Sequence, residues 1–332
     1  MKSAFAARLG PLLRREAILA IFVVIFVLCA IFVPSFFTAR NIVNILKQSA
    51  IIGIVVAGVT ITVIAGNVDL SVGSIVSFAA VIALTYTHAD LTQTNISMTV
   101  QEGRPLLVLS FTLPFLVGAA VGLINGLVIS RFGANSVIIT LGALSAVRGG
   151  ALLFAGGKVI YGVKNPIFTA LGQSQIFTIP VYVFLFVGLS ILLELLLRRT
   201  TFGRHVYLLG TNPKAAVIGG VPVARVQVLT FVLSGLMAAF AAMVLVARLN
   251  TASGLIGNGW EFDAVTAVVI GGTSLLGGRG SVIKSLQGTL LITMIINAMV
   301  LLNIPSSYQY VAKAVIIVAA VYIDIRTRKE AA

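Results

Sequence analysis

Residues 51–85 read IIGIVVAGVTITVIAGNVDLSVGSIVSFAAVIALT, two apolar runs around one polar cluster, Gly66-Asn-Val-Asp-Leu-Ser-Val-Gly-Ser74. Apart from Glu194, Asp69 is the only acidic residue between Glu16 and Glu261 that lies outside an evident polar loop. A carboxylate at the centre of a membrane helix costs about 2.5–3.5 kcal/mol on insertion scales, so it faces protein or a water-filled path. The glycines permit a tight reversal or a helix break, and Asn67, Asp69, Ser71 and Ser74 can satisfy the backbone groups so freed. Two readings of Asp69 stand: it lies at a conduction path or its gate, or it only caps the helix that follows.

The rest of the chain is as apolar as this stretch. Of 332 residues, 59% are hydrophobic and 10% charged, with a mean hydropathy of +1.10. A soluble domain carries roughly a quarter charged residues. The apolar runs are continuous and not alternating, which excludes an outer-membrane barrel and leaves an all-α polytopic membrane protein. The net charge of +14 sits mostly in short loops, where it sets membrane orientation, so no nucleic-acid partner is expected. With Cys29 as the single cysteine, no intrachain disulfide forms. Arg14-Arg15 ahead of the run 17–34 resembles a signal peptide, but the run is too long and lacks a cleavage site; it reads as an uncleaved first span.

Ten apolar segments are expected, near residues 17–34, 49–65, 72–87, 106–130, 135–155, 176–197, 227–247, 262–276, 285–303 and 309–323. The weakest are 72–87, 262–276 and 309–323, so eight full spans plus two broken or re-entrant elements is the alternative. With the N-terminus inside, fifteen Lys and Arg fall in inner segments and six in outer ones, while Arg148 and Lys313 fall within spans. That bias predicts cytoplasmic N- and C-termini and an even number of spans. The polar loop 88–105 reads as an outer loop, and its Asn95-Ile-Ser97 glycosylation match as meaningless. No linker divides the chain, so residues 1–332 form one membrane unit. Residues 59–66 (VTITVIAG) parallel 265–272 (VTAVVIGG), a hint of an internal repeat of the kind whose broken helices line transport paths.

Further constellations bear on chemistry. Residues 271–281 (GGTSLLGGRGS) have the glycine spacing of a phosphate-binding loop, but Gly278 and Arg279 stand where Lys and Ser/Thr are required, so the chain should not hydrolyse ATP. The segment reads as a glycine-rich turn between two membrane helices. Glu261 and Asp263 begin a span, either as complements to the helix dipole or in a substrate role. In the longest inner loop, 198–225, Asn212 can cap a short helix with Pro213 at its first position and Gly219-Gly220 as its stop. That helix suits docking to a cytoplasmic partner, the plainer reading being an anchoring loop. Gly118, Gly122 and Gly126 point to close helix packing; Asn125 among them hydrogen-bonds across helices or faces the path. His88 and His205 lie in different loops on opposite expected faces, so neither a metal site nor a catalytic triad is expected.

Three of these motifs together resemble a known family. Residues 66–74 are similar to the Gly-Gly-Ile-Asp-Leu-Ser-Val-Gly-Ser signature of the ribose/xylose/arabinose/galactose-type ABC importer permeases, with Asn67 and Val68 as departures. Residues 261–274 resemble a second signature. The loop containing Phe202-Gly-Arg, Gly210-Thr-Asn and Ala215-Ala-Val-Ile-Gly resembles a third, with Lys214 in place of the usual Glu of the coupling pattern. The resemblance covers about 36–324.

It implies a multi-pass permease of the bacterial inner membrane, without catalytic residues or cofactor, that moves a monosaccharide. The implied partners are a second permease copy or a related chain, a cytoplasmic ATPase, and a periplasmic or lipid-anchored sugar-binding protein, with the lipid bilayer around them. The path or gate would involve Asn67, Asp69, Ser71, Ser74, Asn125, Thr273 and Ser274. The coupling loop would involve Gly203, Arg204, Asn212, Lys214, Ala215, Ala216 and Gly220. The competing expectation is a stand-alone ion-coupled secondary transporter, which would use intramembrane carboxylates for coupling.

Overall fold

The computed structural model describes residues 17–87, 104–162 and 166–329. His88, the Asn95 match and Glu102 lie outside them. Each of the ten apolar segments contains a helix. In chain order the helices are α1 (Ala17–Phe32), α2 (Ala39–Ile64), α3 (Val72–Thr85), α4 (Arg104–Phe132), α5 (Ser136–Phe154), α6 (Pro166–Gln173) and α7 (Val181–Arg199). There follow α8 (Thr201–Thr211), α9 (Pro213–Ile218), α10 (Val223–Leu249), α11 (Trp260–Ile270), α12 (Val282–Leu301) and α13 (Ser306–Lys329). Among the described residues, four two-residue strands pair antiparallel, Ile160–Tyr161 with the distant Thr251–Ala252 and Gln175–Ile176 with Ile179–Pro180.

Helix lengths decide what crosses a bilayer. Six helices among the described residues, α2, α4, α5, α7, α10 and α12, are long and apolar enough to span. By contrast α3 has 14 residues and α11 has 11, about 21 and 16 Å at 1.5 Å per residue, well short of the roughly 30 Å hydrocarbon core. Both are the short elements expected. The third weak segment differs: α13 runs for 24 residues, because helix continues past the apolar run through polar residues at both ends.

The short helices occupy the centre. α3 is buried on nearly every face, and α10 packs against α4, α2 and α3 around it. The α4–α10 contact is close because Gly118, Gly122 and Gly126 face Gly235, Phe231 and Val228 with no room for a Cβ between them. Small residues letting helix backbones approach is how membrane helices gain packing without a hydrophobic drive. α1, α5, α7 and α13 turn large apolar side chains outward, Phe32, Ile138, Ile191 and Val315 among them.

Candidate functional site

The break after α2 is a glycine-terminated helix end. Gly66 has φ +81°, its N–H donates to Val63 O at 2.9 Å, and the Asn67 N–H donates to Thr62 O at 2.9 Å. α11 ends the same way: Gly272 has φ +76°, its N–H donates to Val269 O at 2.8 Å, and the Thr273 N–H to Val268 O at 3.1 Å. This double closure needs a left-handed residue, which glycine adopts without Cβ strain. The two stretches that parallel each other in the sequence thus end alike, as do α5, α9 and α12, which close with the same pair of bonds.

From Gly66 the chain runs without regular structure to α3, and its polar groups are met by neighbours. The Val68 N–H donates to Ser136 Oγ (3.1 Å) and the Thr140 hydroxyl lies 3.3 Å from Val68 O. Asp69 is fully buried. Its Oδ1 accepts from the Ser71 N–H (3.0 Å) and hydroxyl (2.6 Å), and its Oδ2 from the Ser234 hydroxyl (2.7 Å). The Asn125 amide donates to Ser71 Oγ (3.0 Å), and the Ser74 hydroxyl to Ser71 O (2.7 Å). Ser234 lies eleven residues into α10, roughly 16 Å along it, so this network sits at membrane depth. Asp69, Ser71, Ser74 and Asn125 are thus brought together as one buried network. Ser234, Ser136 and Thr140, all unnoticed in the sequence, complete its surroundings.

Removing the carboxylate should be costly but bounded. In Asp69→Ala the two serine hydroxyls can rotate to other acceptors, whereas the Ser71 N–H cannot, so about 2 kcal/mol should be lost. Asp69→Asn keeps one acceptor oxygen and should lose about 1 kcal/mol. Thermal unfolding in detergent should rank wild type above Asn and Asn above Ala; an Ala variant as stable as wild type would mean the network holds nothing.

Asn67 points elsewhere. Its Oδ1 accepts from the Gln227 amide at 3.1 Å, and both line a cavity of about 350 Å³ with Leu209, Gly210, Thr211 and Leu276. This cavity joins the first and third motifs to Leu276, in the glycine-rich turn that follows the second. Behind it Gly66, Gly210 and Gly277 meet backbone to backbone: a Cβ on Gly277 would stand 2.8 Å from Gly66 Cα and 2.9 Å from Gly210 Cα. A Cβ on Gly210 would overlap the Ile64 carbonyl oxygen and the Gly278 nitrogen. The Gly278 N–H donates to Ile64 O at 2.8 Å, and the Tyr207 hydroxyl to Gly280 O at 2.9 Å. Burial, with the Glu194 carboxylate nearby, pushes the Tyr207 phenol up, so it remains a donor. Both helix breaks are thus clamped to α8.

Thr273 and Ser274 are buried inside the glycine-rich turn. Thr273 Oγ1 lies 3.2 Å from Ser285 Oγ, and the Ser274 N–H donates to Arg279 O at 3.0 Å. In the 198–225 loop, Asn212 caps α9 by accepting from the Ala215 N–H at 3.0 Å, Pro213 opens it and Gly219 ends it, as the sequence predicts. Gly203 packs on Leu197 with no space for a side chain. Arg204, Lys214, Ala215 and Gly220 are exposed, but Ala216 is fully buried. The exposed apolar residues of α9 are instead Val217 and Ile218, the latter 87% exposed.

Glu194, Glu261 and Asp263 are each paired with a cation. Arg148 Nη2 lies 3.2 Å from Glu261 Oε1, and Lys313 Nζ lies 2.8 Å from Asp263 Oδ2. Glu194 pairs with Arg198 and accepts from the Ser281 hydroxyl (2.9 Å) and the Val282 N–H (2.7 Å), anchoring the start of α12. Glu261 and Asp263 therefore have partners more specific than a helix dipole, and Arg148 and Lys313 are those partners. No group of three or more potential metal ligands occurs among the described residues.

A family described as branched-chain amino acid transport system / permease component matches residues 41–321. The chain belongs to that family. Among similar permeases is the L-arabinose transport system permease protein AraH of Escherichia coli (strain K12), 36% identical over 97% of this chain and 93% of that protein. The ribose import permease protein RbsC of Bacillus subtilis (strain 168) is 36% identical over 96% and 92% of the two chains. The L-arabinose ABC transporter permease protein AraH of Azospirillum brasilense is 34% identical over 96% and 90%. No solved structure is significantly similar. The resemblance carried by the three motifs is thereby established, and this family member is a multi-pass plasma-membrane protein.

Proposed function

We propose that this chain is the membrane permease of an ATP-driven importer for a monosaccharide, with a pentose as cargo. The observation that carries this reading is the glycine contact joining α8, the break after α2 and the turn after α11, directly beneath α9. An ATPase docked on exposed Val217 and Ile218 would move α9 and α8. The rigid backbone contact at Gly210 would pass that motion to both breaks, and hence to α3 and α12. The chain then supplies two conformations, and nucleotide binding elsewhere biases them. A second permease copy completes the pore, an external sugar-binding protein delivers cargo, and both termini face the cytoplasm with ten membrane segments between them.

Arabinose and ribose in the relatives' names favour a neutral polyol over the branched-chain amino acids in the family's description. The ion-coupled alternative needs carboxylates available for titration. Here Asp69 accepts three hydrogen bonds, Glu194 holds the start of α12, and Glu261 and Asp263 are engaged with Arg148 and Lys313.

Proteoliposomes test the whole reading. Pentose uptake should require ATP, the ATPase and the binding protein; uptake by the chain alone would refute it. Docking is tested separately by Ile218→Asp. Burying an Ile stabilises an interface by about 1.5–3 kcal/mol, so co-purification with the ATPase should weaken at least about tenfold at an unchanged melting temperature. Undiminished co-purification would remove α9 from the docking surface.

A further inference from the structure

At the end of the bundle opposite α8 and α9, a second cavity of about 220 Å³ lies between α2, α10, α11, α12 and α13. At roughly 30 Å³ per water it has room for about seven waters. Gln48 reaches it from nine residues into α2, and Lys313 from seven residues into α13, roughly 13 and 10 Å along helices that enter from that end. The cavity is therefore within the apolar layer, yet its lining is mixed. Trp260, Ile51, Ile292 and Ile296 provide flat and apolar wall, while Gln48, Arg248, Asp263, Thr289, Thr293 and Lys313 provide polar groups.

Several of those polar groups have no use in holding the fold. The Gln48 amide, the Trp260 indole N–H and the Thr293 hydroxyl have no hydrogen-bond partner among the described residues. Asp263 spends Oδ2 on Lys313 and leaves Oδ1. Polar groups without partners in a low-dielectric layer are costly unless something in the cavity meets them. A ligand suited to this lining offers several donors and acceptors, leaves the Asp263–Lys313 pair intact, accepts from the Arg248 guanidinium, and presents an apolar face to an indole. A small sugar in its ring form has that chemistry: hydroxyls around the rim and C–H groups on one face.

We propose that this cavity is a low-affinity subsite for one pentose within the protomer, with Trp260 beneath the ring and Gln48, Asp263, Thr293 and Lys313 on its hydroxyls. The proposal rests on the pentose-import reading. It makes the permease a second point of sugar selection after the binding protein.

Trp260 is the only tryptophan in the chain, so it reports on the cavity by itself. The purified full chain in lipid nanodiscs would be titrated with D-ribose, D-xylose and L-arabinose, following Trp260 fluorescence and binding heat. At least one pentose should give a saturable response. Thr293→Val and Gln48→Leu, which keep shape and lose a polar group, should each weaken it about fivefold, the worth of one net hydrogen bond, without lowering the melting temperature. Silence in both fluorescence and heat for all three sugars, or a response that neither variant alters, overturns the subsite. Pentose uptake by the reconstituted importer together with a silent cavity would leave the importer reading intact and refute the subsite alone. A saturable, variant-sensitive response without ATP-dependent uptake would support the subsite and refute the importer.

Discussion

Gly210→Ala should uncouple ATP hydrolysis from transport and lower stability by about 2–4 kcal/mol. The new Cβ would overlap backbone atoms of Ile64 and Gly278, and no rotamer change relieves a clash with backbone. α8 must move off both helix breaks, with about 1–3 kcal/mol of overpacking. The Gly278–Ile64 hydrogen bond of 2.8 Å would be lost besides, adding about 1 kcal/mol. Melting temperature and ATP hydrolysed per sugar transported are the measurements. Gly142→Ala is the control, since nothing lies within 4 Å of a Cβ there, and it should be at least as stable as wild type, gaining up to about 1 kcal/mol of helix propensity. Normal transport by Gly210→Ala would show that the glycine contact is not the route from α9 to the breaks.

Arg148→Met should destabilise the protein by about 3–5 kcal/mol. It strands the Glu261 carboxylate, only 2% exposed, in a low-dielectric site, and breaking a buried pair from one side costs more than removing both charges. The double variant Arg148→Met with Glu261→Gln should recover much of that loss. Gly73 is tied to the same pair: a Cβ there would overlap the Glu261 carboxylate, so the last glycine of the opening cluster leaves room for a charge from α11. Unfolding of the four members of the double-mutant cycle measures the coupling, and a cycle that closes with no coupling energy would reduce the pair to a geometric coincidence.

Some features of this site are written locally and others are not. Asn212, Pro213 and Gly219 announce α9 because caps act within four residues. Gly66 and Gly272 announce two matching helix ends for the same reason. Asp69 is legible as costly, and one half of its environment, the bond to the Ser71 N–H, resembles the cap expected of it. The other half, Ser234, stands 165 positions away on α10 and carries no signal of its own, one serine among many in apolar helices. Ala216 shows the same limit: its place in the coupling loop is evident, but which side of a six-residue helix faces outward depends on what packs beneath it.

Taken by itself, the sequence determined an all-α membrane protein, the position of each apolar helix, the two glycine-terminated breaks and the family, since these depend on composition, run length and short-range hydrogen bonding. Only the tertiary structure decided which carboxylate meets which cation, that Asp69 is held by Ser234 of α10, and that Gly66, Gly210 and Gly277 touch. The physical reason is range. A helix end is set by neighbours a turn away, whereas Arg148 and Glu261, 113 positions apart, meet because packing leaves each the other's charge as its partner at that depth.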